Sequence, residues 1–129
     1  MQRDPQQELF TALKIAIEAK GYKCFDGFMP PESEPYPFVY LGDFQQIDAE
    51  GKNAVIGSVH PIIHVWHNNP RQRGTLSQIM LDIKTICREI AHTENFAWFV
   101  RNVTQQIIPD NTTKTPLLHG IIEAEFRFS

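Results

Sequence analysis

Three histidines lie within eight positions of one segment, HPIIHVWHNNPRQRG, at residues 60–74. Clustered imidazoles are common ligands of zinc and other transition metals. The two arginines that follow, Arg71 and Arg73, have the planar donors that bind phosphate or carboxylate groups. These residue types suggest two kinds of site, a metal site and an anion site. The geometry of the segment decides whether either can form.

The segment that carries the histidines is predicted to be a β-strand over 54–67, because its odd positions are mostly apolar while its even positions are mixed. A strand rises about 3.3 Å per residue, so His60 and His64 on one face lie about 13 Å apart. His67 has the opposite parity. Because one metal ion needs nitrogens only a few ångströms apart, we predict no metal site from these three residues and expect surface or interface histidines.

No catalytic motif is visible either. No serine lies in a GxSxG setting, and no glycine-rich loop could hold a phosphate. Glu123 and Glu125 share a strand face with His119, a pattern typical of a solvated face. We predict a protein that is not an enzyme and has no cofactor. The alternative is a small α+β enzyme or metal- or ligand-binding domain in which His60, His64 and His119 converge from neighbouring strands.

Composition indicates one ordinary globular domain over residues 1–129, with 42% hydrophobic and 21% charged residues. The net charge of −3 provides no overall field for DNA or an anionic membrane. Cys24 and Cys87 show no CxxC pattern, which favours reduced thiols in a cytosolic protein. No apolar run approaches the roughly 20 residues that span a bilayer, and no signal peptide is visible. We therefore expect a location inside the cell that makes the protein, with no membrane partner.

The chain shows two helix patterns. The first follows Asp4 as N-cap and Pro5 as first residue, and ends before Gly21. The second is predicted to begin at Thr75, which stands at capping-box spacing from Gln78, and it has the clearest apolar stripe in the sequence.

Strand patterns precede and follow the second helix. YKCF is a possible short strand, and the longer strands are FVYLGDFQQI, residues 54–67, FAWFVRNV and LLHGIIEAEFRF. The order predicts an α+β fold, an antiparallel sheet of about four strands with both helices packed on one face. A ferredoxin-like split βαβ arrangement is the alternative.

The face away from the helices carries more apolar residues than solvent exposure explains. Ile62 and Trp66 share the histidine face of the long strand, and Phe38, Tyr40 and Phe44 are predicted to share one face of the strand before it. An apolar patch of this kind indicates an interface with another protein. The alternative is that loops or the proline-rich segment 30–37 cover the patch.

Several of these motifs, in this order, resemble the tail-completion family of long-tailed phages and prophages, also called tail terminator or tail-to-head joining proteins. The motifs are PYPFVYLGD after a proline-rich stretch, a strand ending in HVWH, a turn into an amphipathic helix, and the final LLHGIIEAEFRF. The resemblance runs from about Phe25 to the C-terminus. Two departures are the loop PDNTTKTPLLHG, which lacks the family's acidic, glycine-containing turn, and a long strand richer in histidine than usual.

The resemblance implies a structural protein that forms a ring, typically a hexamer, on the completed tail tube and joins it to the head connector. It implies assembly in the host cytoplasm, a place in the virion at the tail–head interface, and DNA passage through the ring. A ring requires heterologous contacts between copies, and the candidates for self-association are Trp66, Ile62, His64, Phe38 and Tyr40. Loops 46–53 and 105–115 and the turn before the second helix supply the candidates for contact with partners or DNA: Arg71, Arg73, Asp48, Lys52, Asp110 and Lys114.

Overall fold

The structure, a computed structural model, describes residues 4–49 and 56–129. The described residues form an α+β fold in which one layer of helices packs on one sheet. The helices are α1 (Pro5–Ala19) and α2 (Arg73–Glu89), and the strands are β1 (Cys24–Asp26), β2 (Phe38–Ala49), β3 (Ile56–His67), β4 (Trp98–Asp110) and β5 (Leu117–Phe128).

The sheet has the strand order β1-β2-β3-β5-β4, so it contains five strands rather than the predicted four or so. All neighbouring pairs are antiparallel except β1 and β2, which are parallel. The segment 27–37 between them is long enough to bring the chain back in the same direction, which a tight hairpin cannot do. Because β5 lies between the parallel strands β3 and β4, the unit β3-α2-β4 is a split βαβ, and the ferredoxin-like alternative holds for this unit alone.

Both helices cover the same face of the sheet, as predicted. On that face β3 contributes Val59, Ile63 and Val65, which are fully buried, and β5 contributes alternate residues from Leu118 to Phe128. The period of two in each central strand matches the inward and outward faces that the sequence predicts. From α1 and α2, side chains at helical spacing complete one cluster: Leu9, Leu13, Ile17, Leu76, Ile79, Met80, Ile83, Ile86 and Cys87.

The first helix has the predicted ends. The Asp4 carboxylate accepts a hydrogen bond from the Gln6 backbone N–H at 3.0 Å, and Pro5 occupies the first turn. Gly21 follows the end of the helix with φ +96°, a value that favours glycine over any residue with a side chain.

The second helix begins at Arg73 rather than at Thr75, and the prediction was wrong here by two residues. The backbone N–H groups of Thr75 and Leu76 both donate to the carbonyl of Gln72, which places Thr75 inside the first turn. Arg73 is therefore the first residue of the helix instead of a turn residue ahead of it.

A β-bulge in β2 reverses the parity of that strand. Gly42 and Asp43 together lie opposite the single residue Ile62 of β3. After the bulge Phe44 therefore points toward the helices, where its ring packs edge-on against Phe10 with centroids 5.4 Å apart. The prediction that Phe44 shares a face with the aromatic residues at the start of β2 was wrong for this reason.

The strands extend further than their sequence patterns indicated. β2 continues to Ala49 and β4 to Asp110, so much of the predicted loops 46–53 and 105–115 is strand. Continuous pairing with β3 and β5 supplies the backbone partners that a loop would lack. Asp48 is accordingly an exposed strand residue, and Lys52 lies outside the described residues.

Gly57 is a position where the sheet leaves no room for a side chain. A Cβ there would lie 2.3 Å from the Ile47 carbonyl oxygen and 2.9 Å from the Phe128 ring. We expect Gly57→Ala to lower the free energy of unfolding by about 1–3 kcal/mol, because backbone must move. Urea denaturation measures the change, and Gly74→Ala, with nothing within 4 Å of the new methyl group, is the control. Equal stabilities for the two variants would contradict the close approach.

Candidate functional site

The face of the sheet away from α1 and α2, called the open face below, carries the side chains that the core does not use. It is formed by the even positions of β3 and the odd positions of β5, with β2 and β4 on either side. No helix of the described residues covers it. One half of the open face is aromatic and the other half is polar.

The aromatic half is a row of four stacked or tilted rings, called the aromatic ladder below. Trp66 stacks on His119 with ring centroids 3.7 Å apart and planes 8° apart. His119 lies beside His64, whose Nδ1 is 2.7 Å from His119 Nε2, and Tyr40 follows at 6.1 Å from the His64 ring. All four side chains are half-buried. Cross-strand pairing of β2, β3 and β5 thus joins residues that are distant in sequence.

Gly42, in the bulge of β2, leaves room for the ladder. A Cβ on Gly42 would lie 2.7 Å from His64 Nε2, so a glycine is needed where the imidazole crosses the strand. Sequence reasoning missed this role, although the Gly-Asp pair inside an apolar strand is a typical signal of a bulge.

Both ladder histidines favour the neutral form. Burial lowers the pKa of His64, opposed by the negative charges of Asp43 and Glu123. Burial, and next the nearby His64, lower the pKa of His119 from 6.5 to about 4, with Asp110 acting in the opposite direction. Two neutral imidazoles can share one N–H between the facing nitrogens, and protonating both would place two N–H groups head to head.

The polar half of the open face is a shallow trough of about 530 Å³ between β2 and β4. Its carboxylates are Asp43, Glu123 and Glu125, and Glu125 accepts hydrogen bonds from Asn102 Nδ2 at 2.8 Å and Arg127 Nε at 3.1 Å. These bonds to the charged form lower the pKa of Glu125. The trough presents negative charge to any partner that lies on it.

His60 lies in this trough, apart from the other two histidines of the alternative hypothesis. Its Nε2 is 2.9 Å from Ser58 Oγ, a pairing of a hydroxyl with a base, and among the described residues no carboxylate hydrogen-bonds to the ring. His64 and His119 do come together, but no group of three or more potential ligands in the described part of the chain could hold a metal ion.

His67 differs from the expectation for surface or interface histidines, because it is buried on the helix side of the sheet. Its Nε2 is 2.8 Å from Gln72 Oε1 at the start of α2, and its Nδ1 has no hydrogen-bond partner within the described residues. The side chain thus ties the end of β3 to the turn before the helix.

For Phe38, one of the predicted self-association residues, the structure corrects the expected exposure. It lies on the open face but is only 3% exposed, because Phe25 from β1 and Tyr36 from the proline-rich segment pack on its ring at 5.6 and 5.1 Å. The proline-rich segment therefore covers this corner of the patch. Tyr40, Ile62, His64 and Trp66 remain half-buried and accessible from the open face.

The candidates for contact with partners or DNA are dispersed. Arg71 and Arg73 are exposed, and neither belongs to an ion pair of the described residues. Asp110 closes the turn after β4 by accepting hydrogen bonds from the backbone N–H and the hydroxyl of Thr112. Lys114 is exposed in the same turn, which lies at the opposite end of the sheet from Asp48. The fold does not gather these residues into one site.

The fold has counterparts among solved structures. A chain from the virion of a native gene transfer agent particle superimposes with a TM-score of 0.58 at 11% identity, covering 95% of this chain and 94% of that chain. A second solved structure, whose name gives no function, superimposes with a TM-score of 0.59 at 13% identity, covering 98% and 97%. Likeness at these identities shows a common fold.

No protein-family model and no curated protein matches the sequence. Within the residues that the structure describes, no helix is long and apolar enough to cross a membrane.

The ladder predicts a pH dependence of stability. The folded protein holds the pKa of His119 near 4, below the value of 6.5 in an unfolded chain, so the unfolded state binds a proton first as the pH falls. The stability that neutral His119 contributes is fully present above pH 6.5 and is lost progressively as the pH falls toward 4. We expect the free energy of unfolding, measured with urea between pH 7 and 5, to fall less steeply in His119→Gln than in the wild type. An equal dependence of the free energy of unfolding on pH in the two proteins would contradict the lowered pKa of His119.

Proposed function

We propose that the protein is a structural component of a phage-like particle, a tail terminator or head–tail joining protein that assembles into a ring. The observation that carries the proposal is the fold, which a chain of the gene transfer agent virion shares over nearly the whole length of both proteins. The order of the motifs PYPFVYLGD, HVWH and LLHGIIEAEFRF supports the same family from the sequence side.

The open face supports a role in assembly. It combines half-buried aromatic and apolar side chains with a trough of carboxylates, and a surface of that composition suits docking to another protein. We propose that Tyr40, Ile62, His64 and Trp66 belong to a protein–protein contact with another copy or with the tail tube. In this proposal the protein works by binding and without catalysis or a cofactor.

The charged residues outside the open face have proposed roles as well. Arg71 and Arg73 are exposed cations at the positive end of α2, where positive charge is mildly unfavourable, so we propose contact with DNA in the channel or with a neighbour's carboxylates. Lys114 is proposed for contact with the tail tube or the connector, and Asp48 for contact with a neighbouring copy. Assembly in the host cytoplasm and a final place at the tail–head interface follow from this role.

Deletion of the gene in a host that releases the particles tests the function. We expect electron microscopy to show unjoined heads and tails, or tails of irregular length, and complementation with the wild-type gene to restore joined particles. Trp66→Ala should restore them poorly while the purified variant keeps a cooperative unfolding transition. Ile15→Ala, at an exposed position of α1, should complement fully and is the matched control. Normal joined particles after deletion would contradict the proposed function.

A further inference from the structure

Both outer edges of the sheet carry backbone groups that no strand of the described residues pairs. β4 is the last strand on one side, and on the other side β1 pairs with β2 only at residues 39–41. Two contacts shorten the free edges. Trp98 N–H donates to the Ala91 carbonyl, and Gln6 Nε2 donates to the Phe44 carbonyl. The unpaired segments therefore begin at Phe99 of β4 and at Gln45 of β2, and such segments readily pair with another chain.

The two unpaired segments lie at the same height in the sheet. Phe99 pairs with Arg127, Arg127 with Ser58, and Ser58 with Ile47, so these four residues form one row across the strands. Because all three intervening strand pairs are antiparallel, β4 runs opposite to β2. A second copy placed alongside in the same orientation therefore brings its β2 antiparallel to β4, with Ile47 opposite Phe99.

The side chains of this row suit such a contact. Phe99 is 65% exposed and Ile47 is 50% exposed, and both point to the open face. Directly opposed side chains of an antiparallel pair share a face and lie close enough to pack. Pairing across copies would therefore remove two large apolar side chains from water in one contact.

The charges at the two edges are complementary. A groove of about 530 Å³ runs along β4 from Trp98 to Val103 and contains Arg88 and Arg101. The part of β2 from Asp43 to Ala49, DFQQIDA, holds two acids and no base. Asp48 points to the helix side of the sheet, the side on which α2 carries Arg88. Complementary charges of this kind favour one partner orientation and disfavour the pairing of like edges.

We propose that the groove beside β4 binds the β2 edge of a second copy of this chain, so that the sheet continues from copy to copy. The inference rests on the proposed function and names the contact by which the ring forms. The contact is heterologous, as a closed ring requires. β1 occupies the start of the β2 edge at residues 39–41, which confines the contact to the first part of β4. The open face stays uncovered, so this contact is separate from the one proposed for Trp66.

Disulfide trapping with the full chain tests the edge contact. Opposed residues of an antiparallel pair have Cα atoms about 4.5–5.5 Å apart, which a disulfide can bridge. Oxidation of Ile47→Cys/Phe99→Cys should give a ladder of covalent oligomers on a non-reducing gel. The native thiols interfere little, because Cys24 and Cys87 are buried and burial raises the pKa of each to about 12. Ile15→Cys/Phe99→Cys is the matched control, with its first cysteine at an exposed position outside the edge, and should give no product beyond dimers.

Charge variants provide the second measurement. Arg88→Glu/Arg101→Glu and Asp48→Lys should each reduce trapping in the cysteine background, and an equimolar mixture of the two should recover it, because each variant keeps one intact edge. No ladder, a ladder equal to that of the control, or no effect of charge reversal would overturn the edge contact. None of these results affects the gene-deletion experiment, so failure of the contact and failure of the proposed function are distinguishable.

Discussion

The antiparallel pairing of β3 with β5 is the constraint on which the rest of the structure depends. Both strands turn every second side chain toward α1 and α2, and the fully buried Ile63, Ile122 and Phe126 lie at the centre of that contact. Once these faces are buried, the intervening side chains must occupy the open face. The same register that builds the core therefore brings His64, Trp66 and His119 together.

Much of this arrangement could be predicted from the sequence, because alternation in β3 and β5 and the stripes of the two helices are strong local signals. The two bulges could not be predicted. One lies at Gly42 and Asp43, and in the other Asn102 and Val103 of β4 lie opposite Ala124 of β5. Each shifts the parity of its strand by one residue without changing the composition of the strand. For that reason Phe44 was assigned to the wrong face. Strand order could not be predicted either, because register depends on pairing between distant segments. For the same reason the contact between His64 and His119 could not be predicted.

The surface left by this core divides into parts with different chemistry. The aromatic ladder holds two neutral histidines against a tryptophan, the trough beside it carries carboxylates, and the two sheet edges have complementary charges. Phe38 shows how the proline-rich segment protects one corner, which confines the accessible apolar area to the region around Trp66. Separate surfaces of this kind suit the proposed contacts with other copies and with other components of a particle.

Self-association is the central claim, and light scattering on the purified full chain over a wide concentration range tests it most directly. We expect a mass that rises with concentration from the 14.9 kDa of the monomer to a plateau at a fixed multiple, about six for the proposed hexameric ring. Growth without a plateau would indicate an open filament in place of a closed ring. A mass of one chain at every concentration would contradict assembly by the protein alone.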